Sequence, residues 1–274
     1  MATEFWDDIL AFSKDMTAAI GEHLLAKYGQ VEATRKEDGS LVTEADKWAD
    51  NYARAAIAKR FPDHGAVTEE TEHIWPDTDW CWAIDPIDGT TNYTWGLPVW
   101  GTSVGLLYRG TPVFGYVHFP TLKQSFYGYW YGDSGLSGPT GAYCNGRPIQ
   151  TSSDDPNYSH IFIACARSNA LMAKPFPCKF RMVGTCAYSF SLTASGAAIG
   201  SVEVTPKIWD IAAVWAIVQA AGGAFVSLEP KPIFPLQVGV NYGQRSFPSL
   251  VVARAELVPQ FKPLVEFLGL LHSQ

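Results

Sequence analysis

The chain opens on apolar residues spaced three and four apart: Phe5, Ile9, Phe12, Met16, Ile20, Leu24 and Leu25, with charged residues between them. That period places them on one face, so residues 3–28 are predicted to form an amphipathic helix. A polar loop runs from Thr34 to Ser40. Thr43, followed three residues later by Asp46, has the pattern of a capping box and predicts a second helix to about Arg60. The Phe61-Pro62-Asp63-His64-Gly65 stretch ends it, and Ala66 and Val67 offer a short strand directly before Glu69 and Glu70. The pattern then changes. From Trp80 to Ile84 every residue is apolar or aromatic, as in a strand buried on both faces, and the run stops at Asp85-Pro86. Strand-like runs at 99–108, 112–119 and 124–131, broken by Arg109-Gly110 and Pro120-Thr121, have the spacing of an antiparallel meander. Glycine and proline enrichment over 132–148 predicts turns.

The second half alternates. Strands are expected at 160–166, near 181–183, and at 199–204, 224–228 and 249–253, with helices at 186–195, 207–221 and 255–270. Strands alternating with helices imply a layered α/β architecture. No repeat, low-complexity tract or linker interrupts the chain, so a single unit over 1–274 is expected, with an α+β part over about 1–150 and an α/β part over about 151–274. The segment beyond Gly223, with Pro230, Pro232 and Pro235 followed by Gly239 to Gly243, gives no assignment.

Composition narrows the class. With 274 residues, 47% hydrophobic and 17% charged, the chain can bury a substantial core. A net charge of −7 argues against a general nucleic-acid surface. No window approaches the roughly 18 to 20 apolar residues of a membrane span, and the start lacks a basic signal-peptide opening, so a cytoplasmic protein without membrane or nucleic-acid partners is expected. The five cysteines form no C-x-x-C pair and read as reduced structural thiols. The six histidines lack zinc-ligand spacing, and His73 reads as an exposed turn residue.

The chemistry concentrates after the Trp80 strand. Pro86 pushes Asp85 into an extended conformation, so Asp85 and Asp88 can turn toward one point, and Gly89 permits close backbone approach. A helix beginning near Gly89 and Thr90 would face the same point with unpaired N–H groups, as helix starts do when they hold phosphate. The competing local reading is an Asp/Gly turn with an N-cap. Glu69, Glu70 and Asp210 are the other acids at element junctions beside apolar runs, although Asp210 could simply complement a helix dipole. Two carboxylates at about 4 Å repel by around 4 kcal/mol at an effective dielectric near 20, so such a cluster needs protons or cations. Oxygen-only donors favour Mg²⁺, and several carboxylates suggest more than one ion. Paired ions suit in-line displacement at phosphate, which points to phosphate-ester hydrolysis by metal-activated water.

Three blocks together, Thr68-Glu69-Glu70-Thr71, Trp82 to Tyr93 with Asp85-Pro-Ile-Asp88-Gly-Thr90 at its centre, and Trp209-Asp210-Ile-Ala-Ala with Ala221-Gly222-Gly223, resemble the inositol monophosphatase family. The resemblance runs from Lys36 to about Gly223. It implies a lithium-sensitive, Mg²⁺-dependent sugar-phosphate phosphatase, usually a homodimer, with an α/β/α/β/α layered sandwich. It further implies that Glu69, Asp85 and the Ile87 carbonyl hold one ion, that Asp85, Asp88 and Asp210 hold a second, and that a third weaker ion leans on Glu69. Glu69 and Thr90 would orient the attacking water. Lys36 would support the mobile loop and Asp46 the threonine network, while the Gly89 and Thr90 amides would take phosphate oxygens. On the substrate side the resemblance names Asp88, Gly184, Thr185, Cys186, Glu203 and Asp210. Glu203 also reads as an exposed strand-end charge, and Lys36 as a solvated loop lysine. The chain departs from the family pattern at Thr68, where glycine is frequent, and at Cys186, where alanine is common. The stretch between the Ile161 strand and Gly184 is also short for the family's long helix, and Pro206 stands before Asp210.

Two rival readings have distinct signatures. An aspartyl-phosphate enzyme would use an Asp-x-Asp spacing, whereas Asp85 and Asp88 are separated by two residues. A non-catalytic regulatory or binding protein of the same fold would have lost a metal ligand, and none is lost here. Inositol phosphate or a related polyol or sugar phosphate is the expected substrate, with histidinol phosphate, fructose 1,6-bisphosphate and 3′-phosphoadenosine phosphate as alternatives.

Overall fold

The computed structural model describes residues 2–31, 33–35, 41–173 and 175–270. In chain order the elements are α1 (Ala2–Leu25), the short strands β1 (Thr34–Arg35) and β2 (Leu41–Val42), α2 (Glu44–Arg60), β3 (Gly65–Thr68), β4 (Trp80–Asp88) and α3 (Thr90–Thr94). Then come β5 (Gly101–Tyr108), β6 (Thr111–Phe119), β7 (Gln124–Tyr129), β8 (Gly141–Cys144) and β9 (Arg147–Ile149). The second half contains β10 (Ile161–Ala164), β11 (Lys179–Arg181), α4 (Cys186–Ala194), β12 (Gly200–Glu203), α5 (Ile208–Ala220), β13 (Ala224–Ser227), β14 (Ser249–Val252), α6 (Val258–Val265) and α7 (Phe267–Leu270).

Strands β3 to β9 form a seven-stranded sheet in sequence order, antiparallel except for the β3–β4 pair. A second, five-stranded sheet runs β11-β10-β12-β14-β13. Helices α1 and α2 cover one face of the large sheet, and α4 and α5 lie between the two sheets. On the far side of the small sheet, Phe261 and Val265 of α6 pack in one apolar cluster with Phe162, Leu171, Leu250 and Val252. This is the α/β/α/β/α order that the family resemblance implies. Burial explains it. The apolar stripe of α1 (Ile9, Met16, Ile20 and Leu24) is buried, whereas α5 is apolar around most of its circumference because it is covered by a sheet on each side.

The depth at which α5 lies positions the site. A side chain at Gly105 would put its Cβ 2.7 Å from the Ala212 Cβ, and one at Gly115 would put it 2.0 Å from the Ala213 carbonyl oxygen. Only strands without side chains there let the helix rest directly on the sheet, which carries its N-terminal end to the end of β4. The Ser103 hydroxyl donates to the Trp209 carbonyl across that contact (3.3 Å).

Several expectations are corrected. Helix α1 ends at Leu25, and 26–29 form a turn. Strand β4 does not stop at Asp85-Pro86 but runs to Asp88. Asp85 pairs with Ser103 and Asp88 with Gly101, so the extra residue forms a bulge that tolerates the missing Pro86 N–H. The turn-rich 132–148 stretch contains β8 and β9, short strands largely hidden by the turn residues around them. Strand β11 lies at 179–181, before the expected 181–183. The expected helix over 255–270 is broken into a 3-10 turn (Ala255–Leu257), α6 and α7, with Pro259 and Pro263 preventing a continuous ladder.

The unassigned proline-rich segment is a strap. Its backbone bonds go to loops rather than to a sheet: Leu236 N–H to the Gly110 carbonyl (2.9 Å), Gly239 N–H to Trp75 (2.9 Å), Tyr242 N–H to His73 (3.0 Å) and Phe247 N–H to Pro206 (2.8 Å). It thus ties the loop after Glu69-Glu70 to the loop before α5. Among the described residues, no helix is long and apolar enough to cross a membrane.

Candidate active site

The β4 bulge presents Asp85 and Asp88, both almost fully buried. Asp85 accepts the Ile87 N–H (2.9 Å), which folds its carboxylate back over the bulge. Asp88 reaches across to the start of α4, where it accepts the N–H groups of Cys186 (3.0 Å) and Ala187 (2.7 Å). Those are orphan donors of a helix start, so Asp88 caps α4 from a distant strand. Asp210 lies in the first turn of α5, where it accepts the Lys207 N–H (2.7 Å). It therefore is the helix-start acid of the local reading, and it also carries the longer-range role, because its carboxyl is hydrogen-bonded to that of Asp85.

The electrostatics show how closely these acids are gathered. Burial raises the Asp85 carboxyl well above its usual range, with Glu69, Asp210 and Asp88 each adding to the shift. Burial likewise lifts Asp210 to about 8, helped by Asp88 and Glu69. Asp88 is pushed by burial to about 7, against the opposing pull of the Ala187 and Cys186 amides. Glu203, at the end of β12, is raised by burial to about 8, while the Ser189 hydroxyl donates to it (2.9 Å) and pulls the other way. Glu203 is therefore a half-buried member of the cluster and not an exposed strand-end charge.

A second constellation adjoins the first. Asp46 closes the capping box at the start of α2 by accepting both the N–H (2.7 Å) and the hydroxyl (2.6 Å) of Thr43. Its other oxygen is the acceptor for the Thr90 hydroxyl at 3.3 Å, and the Ile87 carbonyl is an alternative acceptor for the same proton at 3.1 Å. Asp46 and Thr90 thus meet across 44 residues of sequence. Lys36 lies outside the described residues.

Gly89 stands at the N-cap of α3 with φ 92°, a left-handed conformation that glycine adopts without strain. Gly184, with φ 81°, is the matching glycine of the turn before α4, and a Cβ on either residue would strike the other turn: Thr185 at 2.5 Å from Gly89, Asn92 at 2.8 Å from Gly184. The two turns meet face to face. Helix α3 has only five residues, so the helix-start field expected at Thr90 is weak, and the longer α4 has its first amides filled by Asp88. Cys186 is buried, and burial together with Glu203 and Asp210 keeps its thiol protonated.

Three contributors escaped the sequence reading. Asn92 donates to the carbonyls of Val99 (2.6 Å) and Val183 (2.9 Å), locking the two turns together. Ser189 holds Glu203. His73 is not an exposed turn residue: it is half-buried, stacks on Trp209 and bonds the Glu69 carbonyl. Asn and Ser are turn and surface residues by default, so composition carried no sign of these roles.

Among the described residues, no three acid, histidine or cysteine side chains form a ready-made set of metal ligands. The carboxylates are engaged with protein N–H groups and with one another instead. The donor chemistry nonetheless fits a hard divalent cation, since the acids that raise one another offer only oxygen and their mutual repulsion is what a cation would relieve.

A family model described as the inositol monophosphatase family matches residues 6–258. This chain belongs to the inositol monophosphatase family. It is 31% identical over 231 residues to a fructose-1,6-bisphosphatase/inositol-1-monophosphatase of Aquifex aeolicus, covering 79% of this chain and 84% of that protein. It is 31% identical over 226 residues to a histidinol-phosphatase of Chlorobaculum parvum, covering 78% and 83%. Among solved structures, the Thermotoga maritima IMPase superposes with a TM-score of 0.79 at 26% identity, covering 95% of this chain and 98% of that one. Members of the inositol monophosphatase family are named as phosphatases, and the enzyme class of this chain is phosphoric monoester hydrolase.

Proposed function

We propose that this protein hydrolyses a small phosphate monoester, inositol monophosphate or a related polyol or sugar phosphate, with Mg²⁺. The observation that carries the reading is the gathering of Asp85, Asp88, Asp210 and Glu69 from three elements, with Asp85, Asp88 and Asp210 all raised by burial and mutual charge. Glu69, Asp85 and the Ile87 carbonyl would hold one ion, and Asp85, Asp88 and Asp210 a second, with a third nearer Glu69. When bound, such ions supply Lewis acidity, lowering the pKa of a water and screening phosphate charge.

The chain's own residues supply the rest. Asp46 takes the Thr90 hydroxyl proton as a hydrogen bond, which leaves a Thr90 lone pair to accept from the attacking water, and Glu69 orients that water from the other side. The Gly89 and Thr90 amides receive phosphate oxygens at the mouth of the paired turns. Glu203, steadied by Ser189, meets substrate hydroxyls. Gly184, Thr185 and Cys186 shape the same wall. Because the acids come from both halves, the chain works as one catalytic unit. The homodimer and lithium inhibition implied by the family resemblance belong to this reading.

The test is a hydrolysis panel with Mg²⁺: inositol and other polyol phosphates, sugar phosphates, histidinol phosphate, fructose 1,6-bisphosphate and 3′-phosphoadenosine phosphate. Chelator-sensitive phosphate release fastest from the polyol or sugar class is expected. Release from none of these classes overturns the reading, and a phosphoaspartate trapped at Asp85 overturns direct attack by water.

A further inference from the structure

His73 joins the backbone of Glu69 to the ring of Trp209, the residue before Asp210, and so connects segments far apart in sequence. Its Nε2 lies 3.0 Å from the Glu69 carbonyl oxygen. A carbonyl only accepts, so Nε2 carries the proton and donates. The face of the same ring stacks on Trp209, the residue before Asp210, with centroids 4.6 Å apart and planes at 28°. The strap lies close behind the ring. Tyr242 of the strap donates its N–H to the His73 carbonyl, and Gly243 leaves space that no other residue would, since a Cβ there would lie 2.4 Å from Nδ1.

We propose that His73 is a positioning residue that sets the distance between Glu69 and Asp210, with the 236–247 strap as its backing. The proposal rests on the reading of those two acids as members of one metal set. Glu69 follows the end of β3 and leads into a loop, while Asp210 belongs to a helix fixed on the sheet. Nothing in the local pattern of either element relates them. A ring that bonds the backbone of one and stacks beside the other supplies that relation without touching substrate. The strap then has a function: its bonds to His73 and Trp75 on one side and to Pro206 on the other span the two elements that the ring joins.

The experiment is calorimetric titration of metal-stripped full-length protein with Mg²⁺, alongside thermal melts. His73→Ala should weaken Mg²⁺ binding about tenfold, the scale of losses seen when a ligand's supporting partner is removed. His73→Phe, which keeps a ring on Trp209 but has no donor, should fall between. Gly243→Ala, which displaces the ring without altering it, should act in the same direction and serves if His73→Ala does not fold. At saturating Mg²⁺, kcat should fall less than the affinity does. Wild-type Mg²⁺ affinity in folded His73→Ala, or in Gly243→Ala if the former is unfolded, overturns the proposal even if the melting temperature drops. Asp85→Asn is the control for the underlying reading: if it binds Mg²⁺ as tightly as wild type, the acid cluster is not the metal site and the error lies there.

Discussion

The acids at the end of β4 and those around the start of α5 are placed by opposite means. Asp85 and Asp88 sit on a single bulge, and their spacing is fixed by the backbone of one strand paired to β5. Glu203 and Asp210 belong to a strand and a helix separated by Pro206, and their positions depend on how deeply α5 lies on the large sheet. The first pair is therefore a local feature that survives changes elsewhere. The second is a product of packing, and it is the part of the site that distant residues can adjust. Asp88 links the two, because the α4 amides it accepts belong to the layer between the sheets.

The largest expected effect breaks both sides at once. Asp88→Asn and Asp210→Asn should each lower phosphatase turnover by orders of magnitude while leaving the fold intact, since removing a charge from a crowded cluster relieves repulsion. Turnover at saturating substrate and Mg²⁺, with circular dichroism on the same samples, checks this. Near-normal activity in either variant removes that residue from the metal set.

The next effect separates the two sides. Gly115→Ala puts a methyl against the Ala213 carbonyl and should lift α5, costing roughly 1–3 kcal/mol of stability as overpacking does. Urea denaturation reads the stability. The comparison predicts weakened metal binding through Asp210 with the β4 bulge unchanged, so equal stability in the variant would show that the helix does not depend on bare strands.

This division also explains what the sequence made legible. Whereas the five-layer order comes from the family resemblance, the Asp85 to Thr90 block, the capping box at Thr43 and Asp46, the alternation of strands and helices and the meander follow from short-range rules of turns, caps and alternation. The bulge at Pro86, the strands within 132–148, the strap and the role of His73 do not, because each is decided by what packs against it. Glu203 lay between: its place was legible from the family pattern, but its burial was not, because one carboxylate at a strand end looks alike whether it faces water or Ser189.

A smaller and more general effect tests the charge argument. The folded-state values of Asp88 (about 7) and Asp210 (about 8) lie above the ordinary value of 3.8, so the folded chain binds more protons than the unfolded chain between those limits. The part of the stability that these two groups contribute must then fall as pH rises. In chelator, the contribution of these groups is fully present below about pH 4 and is lost as pH approaches 8. Burial lowers His23, His64 and His118, which push stability the other way over the same window in any variant, so the readout is the difference between wild type and Asp210→Asn. The melting temperature of the wild type should fall relative to that of the variant from pH 4 to pH 8, and a difference that stays constant contradicts the crowding of these acids.

The smallest effect falls on the packing-dependent side alone. The Ser189 hydroxyl is within reach of both Glu203 (2.9 Å) and the Thr185 carbonyl (2.6 Å), and one proton cannot serve both fully. Ser189→Ala therefore removes only a shared hydrogen bond, worth about 1 kcal/mol. If Glu203 meets substrate hydroxyls, that loss should appear as a KM about fivefold higher for a polyol phosphate with kcat nearly unchanged, because the reacting phosphate is held elsewhere, at the β4 end. A phosphate ester lacking neighbouring hydroxyls should show no change between wild type and variant. Equal KM shifts for both substrates would mean that Ser189 acts through α4 and Asp88, which would make the two sides of the site less independent than their construction implies.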